Sequence, residues 1–293
     1  MDSSALQALN SLPPEQRKEL VSRVANILRQ QLHREMVPPA DEIRGTWQNV
    51  GDLRQWSNQV DRVGTDGTVP ISGSQMAKLI DHTLLKPTAT RKDILKVCEE
   101  AIQYGFASVC VNSSWVKIAA QALRGHPTMP IAVVGFPLGA MATHSKAEET
   151  RQAIRDGAEE IDMVINIGAL KGGDFDLVYD DIRAVVEAAK GIPVKVILET
   201  TMLTKDEKIA GCTISKAAKA NFVKTSTGFG GGGATIEDVL LMRSVVGEEM
   251  GVKASGGVSN AEDLQNMVKA GATRIGASAG IAIVSGKESK GGY

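Results

Sequence analysis

"DHTLLKPTATRKD", residues 81–93, follows the first strand-like run of this chain and decides between two folds. In an open, doubly wound nucleotide-binding sheet, this is where a glycine-rich GxGxxG turn sits. Here no glycine stands between Asp81 and Asp93. The run "KLIDHTLL" (78–85) instead passes through a proline into "TRKDILKVCEEAIQYG" (90–105), an amphipathic helix pattern with Thr90 at its cap and Gly105 at its stop. The same unit then recurs. Short apolar runs read "ASVCVN" (107–112), "IAVVGF" (131–136), "EIDMVINI" (160–167), "VKVILET" (194–200), "NFVKTST" (221–227), "GVKASGG" (251–257) and "RIGASAG" (274–280). Helical stretches such as "HSKAEETRQAIRDG" (144–157), "DFDLVYDDIRAVVEAAKG" (174–191) and "NAEDLQNMVKAG" (260–271) lie between them. Strands alternating with helices imply a parallel sheet. Eight such units over residues 75–286 predict an α/β fold, a (β/α)8 TIM barrel, whose usual size is ~250 residues.

The flanks read differently. Residues 1–74 predict an N-terminal helical extension and linker. "LPPEQRKELVSRVANILRQQLHREM" (12–36) places Leu20, Val21, Val24, Ile27 and Leu28 on one helical face, and "GTDGTVPISGS" (64–74) is turn-rich. The extension carries Trp47 and Trp56 but no recognisable chemistry. Residues 287–293 read as a flexible C-terminal tail.

Bulk properties exclude several classes. The chain has 293 residues, 43% hydrophobic and 23% charged, with formal net charge -1. No basic excess points to nucleic acid or an anionic membrane surface. No apolar run approaches the ~18 residues of a membrane span. "MDSSALQALNSLPPEQ" lacks the basic and apolar regions of a signal peptide. Cys98, Cys110 and Cys212 are far apart without CxxC spacing, so neither a disulfide framework nor a zinc site is expected. A reducing cytoplasm is the expected location.

In a barrel the chemistry sits at the C-terminal ends of the strands. Polar residues there include Asp81, His82 and Thr83, Cys110 and Asn112, Glu160 and Asp162, Glu199 and Thr200, Lys224 to Thr227, Lys253 and Ser255, and Ser278. Alternation along a strand turns Lys224 and Lys253 inward if Val223 and Val252 face the helices. Two inward lysines on neighbouring strands disfavour each other's charge, and burial adds to that. A lysine with a lowered pKa is an amine nucleophile able to form a Schiff base with a carbonyl. Asp162, inward on the same wall, can balance the remaining charge and move protons. The plain alternative is a pair of strand-end lysines held in ion pairs by Asp162 or Glu199. Glycine-rich turns after strands six, seven and eight ("TGFGGGGAT", "SGGVSNAED", "IGASAG") suit close approach of backbone N–H groups to a phosphate. His82 points opposite to Asp81 and has no second histidine at ligand spacing, so no metal is expected. Cys110 reads as a buried strand residue before a nucleophile, and Cys98 as helix packing.

Taken together, "EIDMV" (160–164), "VKTSTGF" (223–229) and "GVKASGG" (251–257), with "LIDHTLLKPTAT" (79–90), resemble the 2-deoxyribose-5-phosphate aldolases, class I lyases of deoxynucleotide catabolism that need no cofactor. The resemblance covers roughly residues 75–286, in order. It implies that Lys224 forms the Schiff base, that Lys253 lowers its pKa and joins proton transfer, and that Asp162 is the proton donor and acceptor, working through a water. Asp81 would support this network. Thr227, Gly228, Gly256, Gly257, Gly276 and Ser278 would line the phosphate end. The substrate would be a phosphorylated sugar, and self-association into a homo-oligomer is expected. Two positions depart from parts of the family: Phe229 stands where some members carry a lysine, and Ala279 where some carry a second serine. Some members also end in a tail whose terminal tyrosine enters the site, a place Tyr293 would take here. Two rivals stay open: a Schiff-base aldolase for another phosphorylated sugar, and a catalytically silent barrel that binds a sugar phosphate and acts through its N-terminal arm.

Overall fold

Each βα unit is built from the signals the sequence carries. The computed structural model describes residues 72–286. The elements, in chain order, are α1 (Gly73–Ala77), β1 (Ile80–Leu84), α2 (Arg91–Tyr104), β2 (Ser108–Asn112), α3 (Val116–Ala122), β3 (Met129–Val134), α4 (Thr143–Arg155), β4 (Glu160–Val164), α5 (Ile167–Gly172), α6 (Phe175–Ala189), β5 (Val194–Ile197), α7 (Lys205–Ala217), β6 (Phe222–Lys224), α8 (Ile236–Val246), β7 (Gly251–Ser255), α9 (Ala261–Lys269), β8 (Arg274–Ala277) and α10 (Gly280–Val284). Thr90 and Thr204 cap α2 and α7 with reciprocal capping boxes, and Asp174 and Asn260 cap α6 and α9.

The strands close in the order β1 to β8, every pair parallel, with β8 returning to β1. This is the TIM barrel. Alternation sorts the side chains into two regions. Outward residues such as Ile161, Met163, Val196, Val223 and Val252 pack against the helices in the main core. Leu85, Cys110, Ile131 and Val133 form a separate apolar cluster inside the barrel, with Phe136 against it. Each fully buried aliphatic side chain contributes about 1.5–3 kcal/mol. Behind β4, the buried Lys146 of α4 donates to the Val164 carbonyl at 2.9 Å and to Asp181 of α6 at 2.5 Å. That contact ties two helices to the strand that carries Asp162.

Three details differ from the sequence reading. Helix α1 begins inside the stretch read as linker, because Ser72 caps it and pairs with Gln75. Strand β6 is shorter than "NFVKTST" suggests. The Thr225 hydroxyl accepts from the Ser255 N–H and donates to the Ser255 carbonyl, both at 3.0 Å, so a side chain takes the place of the backbone in the ladder. Strand β5 stops before Glu199, whose φ of 58° is left-handed. The expected helix over 12–36 and the rest of the chain before residue 72 lie outside the described residues, as do residues 287–293 with Tyr293. Among the described residues no helix is long and apolar enough to cross a membrane.

Candidate active site

Lys224 is the last residue of β6, and its register partner on β7 is Lys253. Paired residues on neighbouring strands point to the same side, so both lysines enter the barrel. Lys253 is fully buried and Lys224 is 3% exposed. Buried ammonium groups need partners. Both find the same one: Lys224 Nζ lies 2.8 Å and Lys253 Nζ 2.7 Å from Asp162 Oδ2. Lys253 also pairs with Asp81. The four residues expected at the centre of the chemistry therefore stand together. Glu199, the other carboxylate weighed as a lysine partner, is bonded elsewhere.

The electrostatics separate the two lysines. Burial pushes the Lys224 ammonium toward its neutral form; Asp162 resists, and the Lys253 charge pushes the same way as burial, so its pKa falls below the ordinary lysine value. Burial acts on Lys253 too, but Asp162 and Asp81 outweigh it and hold its pKa well above that value. For Asp162, burial favours the acid form, but Lys195, Lys224 and Lys253 overcome it and keep the carboxylate ionised. Asp81 follows the same pattern: burial is outweighed by Arg274, Lys253 and Lys195. The site thus sets an amine of reduced basicity beside a fixed cation and a fixed carboxylate.

A second layer of charge lies within the barrel. Lys195 of β5 reaches Asp162 Oδ1 at 2.9 Å and pairs with Glu160. Arg274 of β8 donates to Asp81 Oδ1 at 2.7 Å and to Glu160 at 3.3 Å. Ser108 also donates to Asp81 Oδ1, at 2.6 Å. The Phe222 ring lies against Lys195 and Arg274, 5.6 and 5.8 Å away. The sequence reading took polar residues from strand ends and missed Lys195 and Arg274. Alternation carried along "VKVIL" and "RIGA" would have turned both inward.

The expected phosphate end has a more particular geometry. The Thr227 hydroxyl donates to Glu199, its N–H reaches the same carboxylate oxygen at 3.1 Å, and its oxygen accepts from the Phe229 N–H at 3.0 Å. Gly230 lies directly on that carboxylate, where a Cβ would meet the carboxyl carbon at 2.6 Å. The loops after β6 and β7 touch through glycine: a Cβ on Gly233 would lie 2.4 Å from the Gly256 backbone. Gly257 and Ser278 are exposed, Gly228 is half-buried, and Gly256 is buried. Gly276 is the innermost of the glycines expected there. It lies within β8, where a Cβ would come 3.0 Å from Lys253 Cε, so its missing side chain makes room for that lysine.

Other candidates fall away from the centre. His82 faces outward, bonded through Nε2 to Glu100 at 2.8 Å and packed on Phe106. Cys110 points into the barrel, but burial pushes its thiol up to about 11, which suits packing and not nucleophilic attack. Cys98 is buried among the helices. Phe229 meets Phe136 edge to face, centroids 5.4 Å apart, bringing the loops after β6 and β3 together. Among the described residues no group of three or more His, Cys, Asp or Glu stands where it could hold a metal ion.

Residues 75–288 match the family described as DeoC/LacD family aldolase. The chain is similar to the deoxyribose-phosphate aldolase of Streptococcus gordonii, 59% identical over 219 residues that cover 75% of this chain and 100% of that protein. It is similar to the enzyme of the same name from Staphylococcus epidermidis, 59% identical over 217 residues, covering 74% and 99%. Among solved structures, the deoxyribose phosphate aldolase of Aeropyrum pernix, described as a unique tetrameric structure, aligns with a TM-score of 0.69 and 31% identity over 73% of this chain and 91% of that chain.

Proposed function

The chain belongs to the DeoC/LacD family of aldolases, which makes it a lyase, and from that membership we propose that it cleaves 2-deoxy-D-ribose 5-phosphate reversibly to D-glyceraldehyde 3-phosphate and acetaldehyde through a Schiff base on Lys224. The observation that carries this reading is the shared oxygen, Asp162 Oδ2, with Lys224 and Lys253 upon it and the Lys224 pKa lowered.

The neutral Lys224 amine attacks C1 of the open-chain sugar, and loss of water gives a protonated imine. That imine accepts electrons from the C2–C3 bond, one carbon away. The C3 hydroxyl gives its proton to the network of Asp162, Lys253 and a bridging water. As C2–C3 breaks, C3 becomes the aldehyde carbon of glyceraldehyde 3-phosphate, and its electron pair forms the C1–C2 double bond of an enamine. Protonation at C2 returns the imine, and water releases acetaldehyde and the free amine. Synthesis is the reverse. Asp81 keeps a fixed negative charge beside Lys253 throughout.

The phosphate would lie at the loops after β6, β7 and β8, in a site lined by Thr227, Gly228, Gly256, Gly257, Gly276 and Ser278. Glycine gives an anion close access to N–H groups there. Phe229 and Ala279 lack the side-chain contacts that some family members offer there, and the Phe229 N–H is given to the Thr227 hydroxyl. The reading includes self-association, supported by the tetramer described for the Aeropyrum pernix enzyme, and a solution mass well above the 31.0 kDa chain tests it. Incubation with 2-deoxyribose 5-phosphate tests the reaction. Acetaldehyde and glyceraldehyde 3-phosphate in equal amounts support it; turnover of a different phosphorylated sugar alone would assign the barrel to another substrate.

A further inference from the structure

Lys195 is a buried lysine that the proposed chemistry does not use. It faces Asp162 in register across β4 and β5 and is fully buried. Its Nζ holds Asp162 Oδ1 at 2.9 Å and pairs with Glu160. Following the contacts onward, Glu160 receives Arg274 at 3.3 Å, Arg274 reaches Asp81 at 2.7 Å, Asp81 pairs with Lys253, and Lys253 returns to Asp162 Oδ2 at 2.7 Å. Six side chains close a circuit in which carboxylates and cations alternate and their formal charges cancel. Lys224 joins this circuit at one point, Asp162 Oδ2.

We propose that Lys195 is a positioning residue: by holding Asp162 Oδ1 and completing the circuit, it directs Oδ2 to the two lysines and leaves no surplus negative charge to keep Lys224 protonated. The inference rests on Lys224 being the Schiff-base lysine. A carboxylate shared among three ammonium groups attracts each of them less than one held by two. The groups that bear on Lys224 come from the whole barrel wall. Asp162 of β4, Lys253 of β7 and Cys110 of β2 act on it directly. Asp81 of β1, Lys195 of β5, Arg274 of β8 and Glu160 of β4 act through the circuit.

The charge count gives predictions of opposite sign. Lys195→Met leaves one carboxylate in surplus, and a protonated Lys224 then restores neutrality. Its deprotonation should move to higher pH. Glu160→Gln leaves one cation in surplus, so deprotonation should move to lower pH. The double variant Lys195→Met/Glu160→Gln cancels again and should return near the wild-type profile. A side chain that served packing alone would produce no such reversal.

The test uses the full chain with acetaldehyde as the probe. Borohydride trapping on Lys224 is followed against pH, with thermal melting to establish that each variant folds. The midpoint of adduct formation is expected to rise by about one pH unit or more in Lys195→Met. Below the midpoint this means about tenfold less adduct. The midpoint should fall in Glu160→Gln and recover in the double variant. A folded Glu160→Gln protein with an unchanged or raised midpoint overturns the proposal, even if Lys195→Met fails to fold. So does a folded Lys195→Met protein with the wild-type midpoint. A wild-type protein that gives no Lys224 adduct at any pH overturns the Schiff-base reading itself, a failure distinct from that of the circuit.

Discussion

Lys224 and Lys253 are register partners on adjacent strands, and their ammonium groups close on one oxygen of Asp162 from 2.8 and 2.7 Å. The arrangement places them 29 residues apart in sequence but on one acceptor in space. It also divides their roles, because among the described residues Lys253 has a second carboxylate, Asp81, and Lys224 does not.

That asymmetry predicts the effect of Lys253→Met. Removing the neighbouring cation leaves Asp81 and Asp162 with less compensation, so Lys224 holds its proton to higher pH. Activity rises with pH as Lys224 deprotonates, and this limb should move to the alkaline side in the variant. At neutral pH, kcat/KM should fall by about 10²–10⁴, the usual contribution of a positioned proton-transfer group. A pH–rate profile of the folded variant checks both.

Asp162 and Lys224 should differ in what they do for stability. Asp162→Leu strips the shared partner from three buried cations and should cost about 3–5 kcal/mol. Lys224→Leu removes a cation already pushed toward neutrality, and Lys195 and Lys253 still satisfy Asp162, so the fold should hold. Urea unfolding of the two variants side by side measures the contrast; equal losses would mean that Lys224 is held as a full structural ion pair.

Acid dependence follows from the depressed carboxyl groups. Asp81 and Asp162 have folded pKa values below the unfolded one, about 3.9. Their stabilisation is fully present above that pH and is lost as the pH falls below it toward the folded values. Asp81→Asn should therefore be less stable than wild type at neutral pH, and the gap should close below about pH 4. Unfolding free energies measured across that range check the sign.

Gly276→Ala probes the room left for Lys253. The added Cβ would come 3.0 Å from Lys253 Cε and 2.9 Å from Ser255 Cβ, and a closed barrel strand cannot readily move aside. Ser255 and the Lys253 side chain must give by a few tenths of an ångström, which disturbs the Lys253–Asp162 contact. The expected result is a lower kcat with a smaller change in KM, read from steady-state kinetics. A selective rise in KM for the phosphorylated substrate would instead assign Gly276 to the phosphate end.

The barrel was legible because eight β-branched runs alternate with helices whose caps and glycine stops are spelled out, as at Thr90 and Gly105. Parity also carried Lys224, Lys253 and Asp162 to one place. What stayed hidden depended on contacts across the interior. Lys195 and Arg274 lie toward the N-terminal ends of β5 and β8, and only their contacts across the interior tie them to the site. Thr225 reads as a β-former, but its hydroxyl replaces a ladder bond. Glu199 looks like the end of a strand, yet it turns left-handed and binds Thr227. No local propensity encodes these, because each is set by a residue on a neighbouring strand or loop. The resemblance to the aldolases supplied the roles that spacing alone left open between a Schiff-base site and an ordinary ion-pair cluster.

The central claim is that Lys224 bonds covalently to the substrate carbonyl. The direct measurement is borohydride reduction after incubation with 2-deoxyribose 5-phosphate or acetaldehyde, with the modified residue mapped by mass spectrometry. An adduct on Lys224 that disappears in folded Lys224→Leu, together with its turnover, is the predicted result. A folded wild-type protein that cleaves the sugar without any adduct, or carries its adduct on Lys253, would contradict the account.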